Sequence, residues 1–245
     1  MSDGVLPLRL RTEKTIEVWR IDLDRPLNPG VSLDEILSTE ERERAGRYAF
    51  AKDAYRFRLC RAMLRQGLAG YLRKTPREIT FAANCYGKPF LAEHQALHFN
   101  VTHSGGLGLI AFSTAGEVGI DVEAIERGVE FLDIAAAYFT EKESAMVAAA
   151  QTPQEQARIF LRLWTRKEAV LKAAGFGLQG GLGTVDVSQP SVNLVKLAIA
   201  PDKDTEIYWR VMDLEMVDGF FGAVATPAGN WSIVQRTVDY EDTIG

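Results

Sequence analysis

Val118-Gly-Ile-Asp-Val-Glu123 alternates apolar and acidic residues with the period of a β-strand, so Ile120 and Val122 face a core while Asp121 and Glu123 share the opposite face. Residues 16–24, Ile-Glu-Val-Trp-Arg-Ile-Asp-Leu-Asp, have the same form, with Trp19, Ile21 and Leu23 set against Arg20, Asp22 and Asp24. A capping-box signal follows each strand, Ser38 with Glu41 and Thr140 with Glu143, inside the similar phrases Thr39-Glu-Glu and Thr140-Glu-Lys-Glu. Long helices are predicted next, over about 53–73 and 153–174, carrying Ala62-Met-Leu-Arg65 and Ala169-Val-Leu-Lys172. Matching positions lie 99 apart at the strands (Ile21 and Ile120), 101 at the caps (Thr39 and Thr140) and 107 in the helices (Ala62 and Ala169). β-rich stretches then follow, around 79–113 and 184–236. This order predicts an α+β fold, a pseudodimer of two similar α+β halves over 1–115 and 116–245, with the break at the turn Ser113-Thr-Ala-Gly116. The C-terminal tail is expected to pack back on the first half. Chance agreement among common residue types is the competing explanation.

The bulk numbers are those of an ordinary globular protein: 245 residues, 47% hydrophobic and 25% charged. Residues 1–12 contain no apolar h-region and no run approaches the roughly 18 apolar residues of a membrane span, so a cytoplasmic protein with no membrane partner is expected. Cys60 and Cys85 form no C-x-x-C pair and are expected to be reduced structural thiols. A net charge of -5 speaks against nucleic acid as a partner, yet residues 40–77 hold eleven basic side chains against four acidic ones. That surplus of seven positive charges fits an acidic or phosphorylated partner; it equally fits the solvated faces of two helices.

Asp121 and Glu123 side by side repel one another unless a cation lies between them, and a hard divalent ion takes such oxygen ligands. Two acids on an exposed strand face also serve plain solubility. A third carboxylate, Glu168, falls at the margin of the apolar face of Phe160-Leu-Arg-Leu-Trp-Thr-Arg-Lys-Glu-Ala-Val-Leu-Lys172, where it needs a partner; Lys172 at i+4 is one candidate. The matching position in the first repeat is Arg61, so only the second half holds three acids. Phe99-Asn-Val-Thr-His-Ser104, followed by Gly105 and Gly106, is a strand entering a glycine turn and a candidate phosphate seat, although a lone His103 is as often structural. No further histidine or acid is placed to make a triad with Ser104. Gly87-Lys88-Pro89 is a turn that presents a lysine.

Taken in order, Gly87-Lys88-Pro89, Phe99 to Ser104, Val118 to Glu123, Tyr138-Phe-Thr-Glu-Lys-Glu143 and Trp164 to Lys172 resemble the signatures of the 4′-phosphopantetheinyl transferases, over about 42–178. The length is similar to the Sfp type, a pseudodimer on one chain acting as a monomer. The resemblance implies a Mg²⁺-dependent enzyme, with Mn²⁺ as a substitute, that moves the phosphopantetheine of coenzyme A onto a serine of an apo acyl or peptidyl carrier protein and releases 3′,5′-ADP. It implies Asp121, Glu123 and Glu168 as metal ligands and Lys172 on the pyrophosphate, with Glu168 and Lys172 assisting catalysis. Thr102 and His103 would meet the 3′-phosphate, Lys88 and Pro89 the adenine, and Glu143 would be a candidate base; Lys167 is a further phosphate contact. The family usually shows serine where Thr102 stands, and both offer a hydroxyl. Three rivals compete with it: another Mg²⁺-dependent phosphotransferase, weakened by the absence of a G-x-x-x-x-G-K-[ST] loop, a binding module without catalysis, and a family member that has lost activity, weakened by the presence of all three acids and Lys172.

Overall fold

The computed structural model describes residues 15–94, 96–125, 129–176, 181–189, 193–198, 206–229 and 231–243; the stretch 1–12 and Leu178 discussed above lie outside them. The chain is a mixed α+β protein with two four-stranded sheets. Strands β1 (Thr15–Asp22), β4 (His98–Ser104) and β5 (Leu107–Ser113) join β10 (Ser232–Thr237) in the order β10-β1-β5-β4, with β10 parallel to β1 and the other pairs antiparallel. β6 (Gly119–Ala124), β7 (Asn193–Ala198), β8 (Glu206–Asp213) and β9 (Phe220–Pro227) form an antiparallel sheet in the order β6-β9-β8-β7. A small hairpin pairs β2 (Phe81–Ala83) with β3 (Pro89–Leu91).

Each sheet carries one long helix. α2 (Ala51–Leu72) buries Leu59, Met63, Leu64 and Leu68 against Trp19, Ile21, Ile110 and Phe112. α5 (Pro153–Ala174) buries Phe160, Leu163 and Val170 in one cluster with Trp209, Val211, Ala223 and Ala225. The other sides of the sheets share a third core, in which Ile16, Val18, Leu109 and Ala111 meet Ile120, Val122 and Val224. β1 is therefore apolar on both faces, and Ile16 and Val18 are as buried as Trp19 and Ile21. Period-2 alternation at 16–24 under-reads this, because nothing local to that strand announces a second sheet behind it.

Of the short helices α1 (Thr39–Ala45), α3 (Phe131–Tyr138) and α4 (Glu141–Ala148), the first and last start on the expected capping boxes, and the N3 glutamate of each does more than cap. Glu41 is buried against Arg65 of α2, 2.6 Å away, whose guanidinium also donates to the carbonyls of Pro76 and Ile79. Glu143 is buried against Lys167 of α5, 2.6 Å away, whose ammonium donates to the carbonyls of Leu182 and Val185. Both pairs are 102 residues apart, Glu41 to Glu143 and Arg65 to Lys167, so the register of the two long helices is 102 and not 107. The position matching Glu168 is then Gln66 rather than Arg61. Much of the basic surplus in 40–77 is spent internally: Arg61 joins Arg65 on Glu41, Arg58 pairs with Asp34, Arg56 with Asp24, and Arg42 donates to the carbonyls of Asp34 and Leu37. Of the cysteines, Cys60 is buried but Cys85 is exposed, so only the first is a structural thiol.

Candidate active site

The two sheets meet where β4 runs beside β6, and the seam is made by side chains reaching backbone. Asn100 Oδ1 accepts from the Ile120 N–H at 3.0 Å, and Ser104 Oγ accepts from the Ala124 N–H at 3.1 Å. Thr102 lies between them and donates to Asp121 Oδ1 at 3.2 Å, while Ser104 Oγ also donates to Glu123 Oε2 at 3.0 Å. The alternation Asn100, Thr102, Ser104 thus satisfies an edge strand that would otherwise present unpaired backbone groups. Asn100 is a site-building residue missed from the sequence, and Ser104, read there only as part of a phosphate seat, bonds instead to Glu123 and the Ala124 amide.

α5 closes the other side of β6. A Cβ on Gly119 would stand 2.0 Å from the Ala169 carbonyl oxygen and 2.3 Å from the Ala173 amide nitrogen, so only glycine permits this approach. It brings Lys172 Nζ to 2.6 Å from Asp121 Oδ1 and 3.3 Å from Thr102 Oγ1. Asp121 is 3% exposed, and its Oδ2 is buried with no partner. Burial pushes its carboxyl above the ordinary range despite the pull of Lys172 and Thr102. Glu168 Oε1 is likewise buried and unpartnered. Desolvation, joined by repulsion from Asp121 and Glu123 and opposed by Lys172, raises Glu168 to about 6. Among the described residues no three His, Cys, Asp or Glu side chains form a preassembled metal cage. Yet two orphaned buried carboxylate oxygens, one of them on an acid that Asp121 and Glu123 repel, are the donor set a hard cation satisfies. Mg²⁺ in particular makes do with one or two carboxylates, completing its shell with water and substrate phosphates.

His103, next along β4, is exposed; partial desolvation and the positive fields of Lys172, Arg56 and Arg44 hold its imidazole below the usual range. Arg44 of α1 and Arg56 of α2 are therefore the members of the basic segment that face this side of the site. Lys88 and Pro89, at the start of β3, line a separate pocket of about 300 Å³ with His94, His98, Phe99 and Glu117. The Lys88 ammonium there is bonded to Glu117 and to the Ala173 carbonyl at 2.9 Å.

Two expectations are corrected. Glu143 is no base in this site: it is 0% exposed, Oε2 is taken by Lys167 and by the Thr140 amide and hydroxyl, and Oε1 by the Val187 amide. Lys167 reaches no phosphate, because its ammonium is fully buried on Glu143 and two carbonyls. Adjacent positions on a helix point about 100° apart, which turns Lys167 into the core while Glu168 faces Asp121.

A family model described as the 4′-phosphopantetheinyl transferase superfamily matches residues 117–225, and one described as 4′-phosphopantetheinyl transferase, N-terminal, matches 31–115. A protein of Synechocystis sp. provisionally named a 4′-phosphopantetheinyl transferase is 37% identical over 197 residues, covering 80% of this chain and 78% of its own. The 4′-phosphopantetheinyl transferase HetI of Nostoc sp. is 33% identical over 219 residues, covering 88% of this chain and 89% of its own. The 4′-phosphopantetheinyl transferase Sfp of Bacillus subtilis is 27% identical over 231 residues, 94% of this chain and 100% of its own. Identity at this level over most of both chains, joined to the two family matches, makes this chain an enzyme of the 4′-phosphopantetheinyl transferase family.

Proposed function

We propose that the enzyme takes its phosphopantetheinyl group from coenzyme A, with Mg²⁺, and places it on a serine of an apo carrier protein. The observation that carries this reading is the meeting of Asp121, Glu168 and Lys172 across β6 and α5, with unpartnered oxygens on both acids. Asp121, Glu123 and Glu168 are the side chains that would hold the ion. Bound there, Mg²⁺ (or Mn²⁺) supplies Lewis-acid stabilisation of the charge on the diphosphate oxygens.

The reaction is a displacement at phosphorus: the serine oxygen bonds to the β-phosphorus, the bridging P–O bond breaks, and 3′,5′-ADP departs with the electron pair. Lys172, held by Asp121 and Thr102, offers a positive charge to the leaving diphosphate oxygen. The serine proton needs a carboxylate within hydrogen-bond reach, and with Glu143 withdrawn, the Glu168 carboxylate, raised to about 6, is the acceptor the site provides. Thr102 and His103, flanked by Arg44 and Arg56, are suited to the 3′-phosphate, and Pro89 beside its pocket to the adenine. The exposed basic residues Arg44, Arg47 and Lys52 suit an acidic carrier.

We further read the chain as a pseudodimer divided near 115/116 and acting as a monomer. The matched pairs Glu41–Arg65 and Glu143–Lys167 support duplication, and the pairing of β10 with β1 supports a tail that returns to the first half. No described helix is long and apolar enough to cross a membrane. Intact-mass measurement of an apo carrier incubated with coenzyme A, Mg²⁺ and the enzyme tests the reading. A gain of one phosphopantetheine is expected; an unchanged mass across a panel of acyl and peptidyl carriers would overturn it.

A further inference from the structure

Lys88 sits in the first half, but both groups it touches belong to the second. Its ammonium is bonded to the Glu117 carboxylate, two residues before β6 begins, and to the Ala173 carbonyl in the last turn of α5. β6 carries Asp121 and Glu123, and α5 carries Glu168 and Lys172. One cation thus ties together the two elements whose spacing sets the distance between the acids and the lysine. The neighbouring turn adds a second tie: Asn84 Nδ2 donates to the Gly175 carbonyl at 2.9 Å, while its Oδ1 accepts from the amides of Tyr86 and Lys88. Tyr86 then packs edge-on against Phe176, with ring centroids 5.5 Å apart.

The end of a helix is where such ties matter, because its last carbonyls have no intrahelical partner. α5 ends at Gly175 in the left-handed conformation, φ 77°, and the amides of Gly175 and Phe176 both return to the Leu171 carbonyl. Beyond that capping, the Ala173 carbonyl accepts from Lys88 and the Gly175 carbonyl from Asn84. A lysine there also complements the negative end of the helix dipole.

We propose that Lys88 is a positioning residue: with Glu117 and Asn84 it staples the start of β6 to the end of α5 and so fixes Lys172 and Glu168 against Asp121. This rests on the function proposed above, and it departs from a direct contact between the Lys88 side chain and the coenzyme. His98 belongs to the same assembly, its Nδ1 lying 3.2 Å from the second Glu117 oxygen.

The test uses the full-length enzyme and the variants Lys88→Met and Glu117→Gln, of which the second is isosteric and leaves the Lys88 ammonium in place. Both are expected to lower kcat by about 10- to 100-fold, the scale of an ångström-sized misplacement, with KM for coenzyme A within about twofold of wild type. In the absence of coenzyme and carrier, amides at 171–176 are expected to exchange with deuterium faster in both variants than in wild type. A raised KM for coenzyme A at unchanged kcat in Lys88→Met, with Glu117→Gln silent, would make Lys88 a coenzyme ligand and overturn the staple. Unaltered exchange at 171–176 would overturn it too. Failure of the wild type to transfer phosphopantetheine would sink the proposed function alone, since the exchange measurement involves no substrate.

Discussion

Asp121 is held between two opposing demands, burial that favours its neutral form and a lysine 2.6 Å away that favours the charged one. It leaves one oxygen unused, and so does Glu168. Asp121→Ala removes both the anchor of Lys172 and a donor for the ion. Transfer is expected to fall at least about 10²-fold while circular dichroism stays that of the wild type; wild-type turnover in this variant would refute the metal assignment. Glu168 makes a separate prediction about stability in the metal-free protein. Its folded pKa of about 6 lies above the ordinary carboxylate value of 4.5, so between those pH values the folded state keeps a proton that the unfolded state has lost. Stability therefore declines as pH rises through that window. The shift bounds the loss at about 2 kcal/mol, and partial solvent access reduces it to about 1 kcal/mol. Glu168→Gln, which cannot ionise, should match wild type in urea denaturation at pH 4 and exceed it by about that amount at pH 7. Equal midpoints for the two proteins at pH 7 would show that Glu168 carries no ionisation penalty.

At the scale of elements, the site exists because β6 is pressed between β4 and α5. Gly119 sets the second contact, and the groups it faces are helix backbone, which cannot rotate away as a side chain could. Gly119→Ala should force β6 and α5 apart, costing about 3 kcal/mol or more and lowering kcat through the lost Asp121–Lys172 contact; a fully active, equally stable variant would contradict this packing. These elements differ in how far they could be read in advance. β6 and α5 were legible because their apolar periods, 2 and 3.6, are local properties of 118–123 and 153–174. The capping boxes were legible for the same reason, being fixed four-residue patterns. β4 was legible as a strand, but Asn100 and Ser104 make sense only beside β6, a neighbour that no local pattern names. Its hydroxyls were accordingly assigned to a phosphate alone. The helix register failed for a related reason: Ala62-Met-Leu and Ala169-Val-Leu look alike, but the residues with matching partners are Arg65 and Lys167.

Over the whole molecule, those two buried cations show what each long helix requires before any chemistry is added. Beside each long helix a short helix is capped by a glutamate, the glutamate is neutralised by a cation from the long helix, and the cation's remaining donors close on two carbonyls three residues apart, Pro76 and Ile79 or Leu182 and Val185. Removing Lys167 strands Glu143 as an uncompensated buried charge, which costs about 3 to 5 kcal/mol, whereas Arg61 still neutralises Glu41 when Arg65 is removed. In urea denaturation at neutral pH, Lys167→Met is expected to lose about that much and Arg65→Met less, because Arg61 stays on Glu41. Only Lys167 stands one residue from the site, yet its ammonium is as fully enclosed as the rest of the core. In the fraction of Lys167→Met that remains folded, KM for coenzyme A should therefore equal that of wild type, as it should in Arg65→Met. A phosphate contact would give the opposite pattern, a KM raised severalfold in Lys167→Met with stability little changed. Measuring stability and KM on both variants separates the two roles, because a lysine that braces the fold and a lysine that binds the substrate cannot fail in the same way.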